Sequence, residues 1–341
     1  MPVEVVTISI PGRKCQLRAR RYLATRTVTF LDDGDWPAEV EVENEKKYVE
    51  ARANRWPRAL SKLAYSWFQF QFALRLLRLS RRYDGVAVGR YGIWFPILNR
   101  WLGCSKRVVM TDVEWRETDS GALNRRAALA SDGVCCFTLA EIERYSRHFR
   151  IPADKFRFVP TAYQSPDIFE ASDEGFVFAG GNQGRDWQTL FRAVEGLPYP
   201  VHVFTSKKIV GPPANVVVNT DTREAYYRRL AAASCVVIPL LPEPLRITGM
   251  LTWSNAMGTG KVVIVTEPFG APDYMEQGTS GFYVGYGDSD ALRQCIQTVM
   301  ENSELRRKVG QAARERAEQE FSPAAFRARI LEMLHGNTSS G

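Results

Sequence analysis

Gly258-Thr259-Gly260-Lys261, within TGMLTWSNAMGTGKVVIVTE (residues 248–267), has the composition of a loop that cradles phosphate. A loop for a nucleoside triphosphate needs a glycine, four residues, then Gly-Lys followed by Ser or Thr. Counting back from Gly260, the first glycine position holds Asn255, and Val262 follows Lys261. The order is reversed as well. A helical pattern precedes these glycines and an apolar strand pattern follows, whereas a phosphate loop leads from a strand into a helix. Gly258 and Gly260 therefore read as a helix stop ahead of a buried strand.

The start of that helix has more chemistry to offer. Leu240-Leu241-Pro242 closes an apolar strand, a loop runs to Gly249, and the helical pattern begins near Met250–Thr252. In α/β sheets, ligands lie beyond the carboxyl ends of strands, where free amides at a helix start favour anions. Gly249, Met250 and Leu251 would offer their amides to a diphosphate, with Thr252 and Asn255 directed into the same pocket. A plain loop-to-helix turn capped by Thr fits this stretch equally. A second stretch, FVFAGGNQGRDWQTLFRAV (176–194), carries an apolar strand through Gly180-Gly181-Asn182 to Arg185, just ahead of a helix. It lacks the dinucleotide G-x-G-x-x-G spacing, but Arg185 is suited to bidentate pairing with phosphate. The three histidines (148, 202 and 335) have no paired Ser or Cys nucleophile near them, which argues against a hydrolytic triad.

These stretches sit in a chain of 341 residues, long enough for two domains. A hydrophobic content of 45% with 24% charged residues describes a globular protein. Cys15, Cys104, Cys135, Cys136, Cys235 and Cys295 show no metal-ligand spacing and read as reduced thiols of a cytoplasmic protein. The N-terminus has no signal pattern and reads as a buried strand over Val3–Ile10. The longest charge-free apolar run, Leu63–Leu74, is too short to span a bilayer. Residues 1–170 carry 28 Lys and Arg against 20 Asp and Glu, and the remainder 17 against 18. The basic first half suits an anionic partner such as a membrane surface, although surface scatter gives the same excess; no nucleic-acid signature accompanies it.

Short apolar strands and helical patterns alternate along both halves, which predicts βαβ units on parallel sheets. The first half offers strands at Thr27–Leu31, Gly85–Gly89, Arg107–Met110 and Val134–Thr138, with an acidic loop at Asp35–Glu50. The helix at 58–82, RALSKLAYSWFQFQFALRLLRLSRR, is rich in aromatic and basic residues. It fits both a core position and docking on an anionic membrane. The second half repeats the alternation after a proline-punctuated link near residues 160–170.

Together these features resemble retaining family 4 of the GT-B-fold glycosyltransferases, the glycosyl transferases group 1. The segment Asn255-Ala256-Met257-Gly258-Thr259-Gly260-Lys261-Val262-Val263-Ile264 is similar to that family's Glu-Ala-Met-Ala-x-Gly-x-Pro-Val-Ile. Arg185 stands at a conserved-type Lys position, with Leu190 and Ala193 at the expected offsets. The segments TEPFGAPDYMEQGTSGFYV and ENSELRRKVGQAARERAEQEFS resemble the family's closing elements, and the likeness runs over roughly residues 130–335. It implies two Rossmann-like doubly wound domains facing a cleft: an acceptor-binding domain at 1–165 and a donor domain at 166–322. A terminal helix at 323–335 would cross back, ahead of a disordered tail at 336–341.

The resemblance also assigns roles. It implies a nucleoside-diphosphate sugar as co-substrate, no separate cofactor, no metal, and a glycan or lipid-linked acceptor hydroxyl. Of the family's two glutamates, the one that holds the ribose is replaced by Asn255, and the one that contacts the sugar by Ile247; Glu243 or Arg246 would compensate. Lys207 or Lys208 would supply phosphate charge in place of the Arg expected near Asn182. Asp112 falls about where the family has a catalytic-face His, and with Glu114 it would orient the acceptor, although both also fit surface charges at a strand end. The family's Gly-Gly loop after the first strand is reduced to Pro11–Lys14, with Gly12 and Arg13 on the acceptor side. A GT-B nucleotide-sugar epimerase and a non-catalytic nucleotide-sugar-binding or scaffolding protein are the alternative functions.

Overall fold

A computed structural model describes residues 7–10, 13–16, 22–26, 40–44, 49, 52–57, 60–104, 106–111, 113–117, 119, 121–163, 171–220 and 222–336. The chain forms two compact units. One draws on Met1–Cys135, Phe149–Arg157 and Arg327–Gly341, the other on Cys136–His148 and Phe158–Phe326.

In the first unit, β1 (Thr7–Ile10) and β2 (Arg13–Gln16) pair antiparallel as a separate two-stranded sheet. A six-stranded sheet takes β3 (Tyr22–Arg26), β4 (Val40–Asn44), β5 (Gly85–Val88), β6 (Arg107–Met110), β7 (Gly133–Cys136) and β8 (Phe156–Phe158) in the order β4-β3-β5-β6-β7-β8. The pairings from β4 through to β7 are parallel, with Leu23 opposite Val86 and Val86 opposite Val108. Two expectations are corrected. The N-terminal strand pairs with β2 in the two-stranded sheet and stays out of the large one, and Arg13 and Lys14, read as part of a loop, open β2. The acidic stretch 35–50 contains β4, at the edge of the sheet, whose Val-Glu-Val-Glu alternation is the period-two pattern of a strand. The Thr27–Leu31 strand lies outside the described residues. Helix Pro323–His335 carries Met333, whose carbonyl accepts from Arg107 Nε on β6 at 2.7 Å.

The second unit has β9 (Val177–Gly180), β10 (Val201–Phe204), β11 (Val216–Asn219), β12 (Cys235–Ile238), β13 (Val262–Val265) and β14 (Phe282–Tyr283) in the order β11-β10-β9-β12-β13-β14, all parallel. Both faces are covered. Phe178, Val236 and Ile238 pack on one side with Trp253, Met257 and Tyr274, and Val177, Ala179 and Val237 on the other with Leu190 and Ile296. Strands buried on both faces need apolar residues at every position, which is why these segments are continuous apolar runs.

Side-chain caps start the helices. Asp186, Thr222, Asp288 and Asn302 accept from the amides three residues on, at 3.1, 3.3, 2.9 and 2.9 Å. Helix Met250–Gly258 ends in a Schellman pattern. Gly260 N–H donates to the Met257 carbonyl at 2.8 Å and Lys261 N–H to that of Ala256 at 2.9 Å. The Gly-Thr-Gly-Lys sequence is therefore a helix stop. The Lys261 ammonium donates to the Ser172 carbonyl in a buried position, and burial lowers its pKa to about 8.

Candidate functional site

Arg185 organises the carboxyl end of the second sheet. The chain leaves β9 through Gly180-Gly181, turns at Gly184 and enters helix Trp187–Val194. Asp186 N–H donates to the Pro239 carbonyl at 3.0 Å and Leu241 N–H to that of Gly184 at 2.9 Å, which ties the glycine turn to the chain leaving β12. The Arg185 guanidinium folds back over this turn. Its Nε donates to the Gly180 carbonyl at 2.8 Å, Nη1 to that of Gln183 at 2.8 Å and Nη2 to Thr252 Oγ1 at 3.3 Å. These use three of the five N–H groups of a guanidinium, so one on each terminal nitrogen remains for an anion. Gly181 sits at φ +127°, and a β-carbon there would overlap the guanidinium. Only glycine lets Arg185 take this place.

Helix Met250–Gly258 meets Arg185 at its first turn. Its N-cap, Gly249, is left-handed at φ +88°, and a β-carbon would press on Ile238 at 3.0 Å and Leu240 at 3.2 Å. Thr252 Oγ1 accepts from Arg185 and also bonds the Tyr226 hydroxyl at 3.2 Å. Burial lowers the Arg185 pKa, partly offset by Tyr226, and burial raises that of Tyr226, which stays a neutral phenol. The amides of Met250 and Leu251 belong to the first turn, where no carbonyl of the helix precedes them. Asn255 is buried, and its Nδ2 donates to the Tyr227 hydroxyl at 3.4 Å. Thr252 and Asn255 thus both meet the tyrosine pair of helix Arg223–Ala232.

The remaining expected residues divide. Asn182 Oδ1 accepts from Thr205 Oγ1 at 2.9 Å and from Ser206 N–H at 2.8 Å, which fixes the loop bearing Lys207 and Lys208. Both lysines are exposed there. Glu243 and Arg246 pair with each other, at 2.6 Å from Nε and 3.1 Å from Nη2. Ile247 is buried, and its amide donates to Glu141 Oε1 at 3.0 Å. Sequence reasoning missed Glu141, whose other oxygen accepts from Phe137 N–H at 3.0 Å. Its one cue is the capping-box spacing Thr138-x-x-Glu141, realised by the Glu141 N–H bond to Thr138 Oγ1 at 3.2 Å. It missed Glu267 too, a buried carboxylate that accepts from the amides of Phe269, Gly270 and Ala271 and from the Tyr286 hydroxyl.

In the first unit, Asp112 and Gly12 lie outside the described residues, and Arg13 opens β2. Glu114 pairs with Arg90 Nη1 at 3.2 Å. The basic aromatic helix covers Ser61–Ser80 and has two apolar faces. Ala64, Phe72, Ala73 and Leu76 are buried; Leu63, Trp67 and Leu74 are 71%, 55% and 40% exposed. Spacings of four and seven residues align those three on one stripe.

Residues 211–316 match the family model of the glycosyl transferases group 1, and over that stretch the resemblance read from the sequence holds. The alpha-maltose-1-phosphate synthase of Mycolicibacterium smegmatis is 29% identical over 110 residues, which cover 30% of this chain and 27% of that protein. The chain thus matches little more than a quarter of that relative's length. Among solved structures, the sucrose-phosphate synthase of Thermosynechococcus elongatus is 14% identical with a TM-score of 0.67, covering 94% of this chain and 100% of that one. Anabaena HepE in complex with UDP-glucose is 15% identical with a TM-score of 0.67, covering 93% and 100%. These likenesses place both units in the GT-B fold class.

Proposed function

We propose that the protein is a glycosyltransferase that moves a hexosyl group from a nucleoside-diphosphate sugar to an acceptor hydroxyl, with the donor held in the second unit. The observation that carries this reading is Arg185, tethered at Gly180, Gln183 and Thr252 beside the first turn of helix 250–258 with N–H groups to spare. Charge develops on the leaving diphosphate as the glycosidic bond stretches, and a preorganised cation next to helix-end amides stabilises it. Lys207 and Lys208 add positive charge to this side, and Asn255 stands by for the ribose. Asp112 or Glu114 orients the acceptor. The family match over 211–316 and the UDP-glucose complex of HepE support the donor class. The reading takes the anomeric configuration as retained and the transfer as independent of added divalent cation, which product NMR and EDTA titration check.

Calorimetric titration with UDP and UDP-glucose tests the donor site. Saturable binding is expected, weakened about 10- to 100-fold by Arg185→Ala as charge-assisted hydrogen bonds are lost. Absence of binding, or unchanged affinity in the variant, refutes the reading. Binding without turnover over a broad acceptor panel would favour a non-catalytic role.

The acceptor side includes an anionic membrane surface. The exposed stripe of Leu63, Trp67 and Leu74 supports this, with Arg75 and Arg78 exposed on the same helix. No helix of the described residues is long and apolar enough to cross a membrane. Flotation with anionic but not neutral vesicles, abolished by Trp67→Glu, is the expected result. Equal flotation of both variants removes this part of the proposal.

A further inference from the structure

We propose that Tyr226 is a positioning residue of the donor site, turning the hydroxyl proton of Thr252 toward the bound diphosphate. This role rests on the reading of Arg185 and the first turn of helix 250–258 as the place of the diphosphate.

A count of protons carries the proposal. The hydroxyls of Tyr226 and Thr252 share one contact, Oη to Oγ1 at 3.2 Å. Thr252 Oγ1 also accepts from Arg185 Nη2 at 3.3 Å. Among the described residues, neither hydroxyl has a further hydrogen-bond partner. Thr252 is the third residue of its helix, where a Thr can donate back to a carbonyl one turn earlier; here it does not. Each hydroxyl carries one proton, and the contact between them uses one of the two. The other is left over.

Acidity and packing decide which one. A phenol is the stronger acid and the poorer acceptor of the pair, because its ring withdraws charge from the oxygen, so Tyr226 donates and Thr252 accepts. Burial keeps Tyr226 in the neutral, proton-bearing form. Its ring stands edge-on to Phe178 at 5.1 Å and to Phe204 at 6.1 Å, and a β-carbon on Gly180 would overlap it. Glycine at 180 thus makes room for Tyr226, as glycine at 181 does for Arg185. Thr252 then accepts twice, from Arg185 and from Tyr226, which fills both of its lone pairs. Its own proton takes the remaining tetrahedral direction, beside the unused N–H groups of Arg185. A diphosphate offers only acceptor oxygens, and a surplus donor next to a tethered cation matches it.

The test is a double-mutant cycle of Tyr226→Phe and Thr252→Val in the full chain, read by calorimetry with UDP and with inorganic pyrophosphate. Tyr226→Phe keeps the ring against Phe178 and Phe204 and removes only the hydroxyl. It is expected to weaken UDP binding about three- to tenfold, the worth of one hydrogen bond. In the Thr252→Val background the same change is expected to leave affinity within about twofold, because Tyr226 acts through that oxygen alone. Unchanged affinity in Tyr226→Phe overturns the role. Equal losses with Thr and with Val at position 252 also overturn it, since a ring that merely packs would cost the same in both. Arg185→Ala keeps the two readings apart: UDP binding that needs Arg185 but not the Tyr226 hydroxyl removes Tyr226 alone. Pyrophosphate binding with the expected coupling, and no UDP binding, removes the nucleotide donor and keeps Tyr226. Binding of neither probe removes both.

Discussion

Lys261→Met separates a phosphate-binding lysine from a buried structural one. The ammonium is 6% exposed against the Ser172 carbonyl, and burial takes its pKa from 10.5 to about 8. The unfolded chain then holds a proton that the folded chain has released between those two values. Stability must therefore rise with pH through that window, by about 3 kcal/mol at 1.36 kcal/mol for each pKa unit. Below pH 8 both states carry the proton, and the burial penalty is present in full. Tyr286 adds its own pH dependence, because burial raises its phenol in the folded chain above the ordinary tyrosine value it keeps in the unfolded one, so the informative quantity is the difference between two proteins. Urea denaturation of wild type and Lys261→Met from about pH 7 to 10.5 measures it. The advantage of the Met variant should shrink by about 3 kcal/mol across the series. UDP affinity should stay within about twofold, because Lys261 closes a helix stop and not an anion site. Parallel stability curves, or a tenfold or greater loss of UDP affinity, would refute the reasoning.

Thr252→Val removes the oxygen shared by Arg185 and Tyr226; it should cost about 1–2 kcal/mol in stability and weaken UDP binding several-fold by calorimetry. Glu141→Ala strands the amides of Phe137 and Ile247, with an expected loss of about 2–4 kcal/mol in urea denaturation, whereas Glu141→Gln keeps one acceptor and should lose about half of that. Ile247→Glu places a carboxylate in a buried position beside Glu141 and Gly270. It should destabilise by about 3–5 kcal/mol, less at acidic pH where the pair takes up a proton, and should not improve turnover; melting curves at two pH values check this.

The second unit was legible because its strands are buried on both faces. Cys235–Ile238 and Val262–Val265 are unbroken apolar runs, and caps such as Asp288 mark the helices plainly. Asp35–Glu50 misled because its acidic composition masks the two-residue alternation of β4. Within the site, Arg185 and Thr252 were found from glycine-turn and helix-start patterns, which are local. Their contact is not local: it spans 67 residues and depends on how β9 and β12 pair. Glu141 holds an amide 106 residues away, and Tyr226 reaches Thr252 across 26, distances at which spacing carries no signal. Ile247 was read as a missing glutamate. It is buried, with its amide bonded to Glu141 and its side chain against Gly270, so a carboxylate at this position would stand beside that of Glu141.

The chain passes between its two units at Cys135–Cys136, His148–Phe149, Arg157–Phe158 and Phe326–Arg327, so neither unit is a continuous piece of sequence. Subcloning at the midpoint would sever both. A fragment ending at residue 165 lacks Met333, which receives the Arg107 side chain, and strands helix 139–149 without Asp273, whose carboxylate accepts from Leu139 N–H at 2.7 Å. Separate units would have to be built by rejoining distant segments through new linkers, and exchanging one unit between similar chains requires four junctions instead of one.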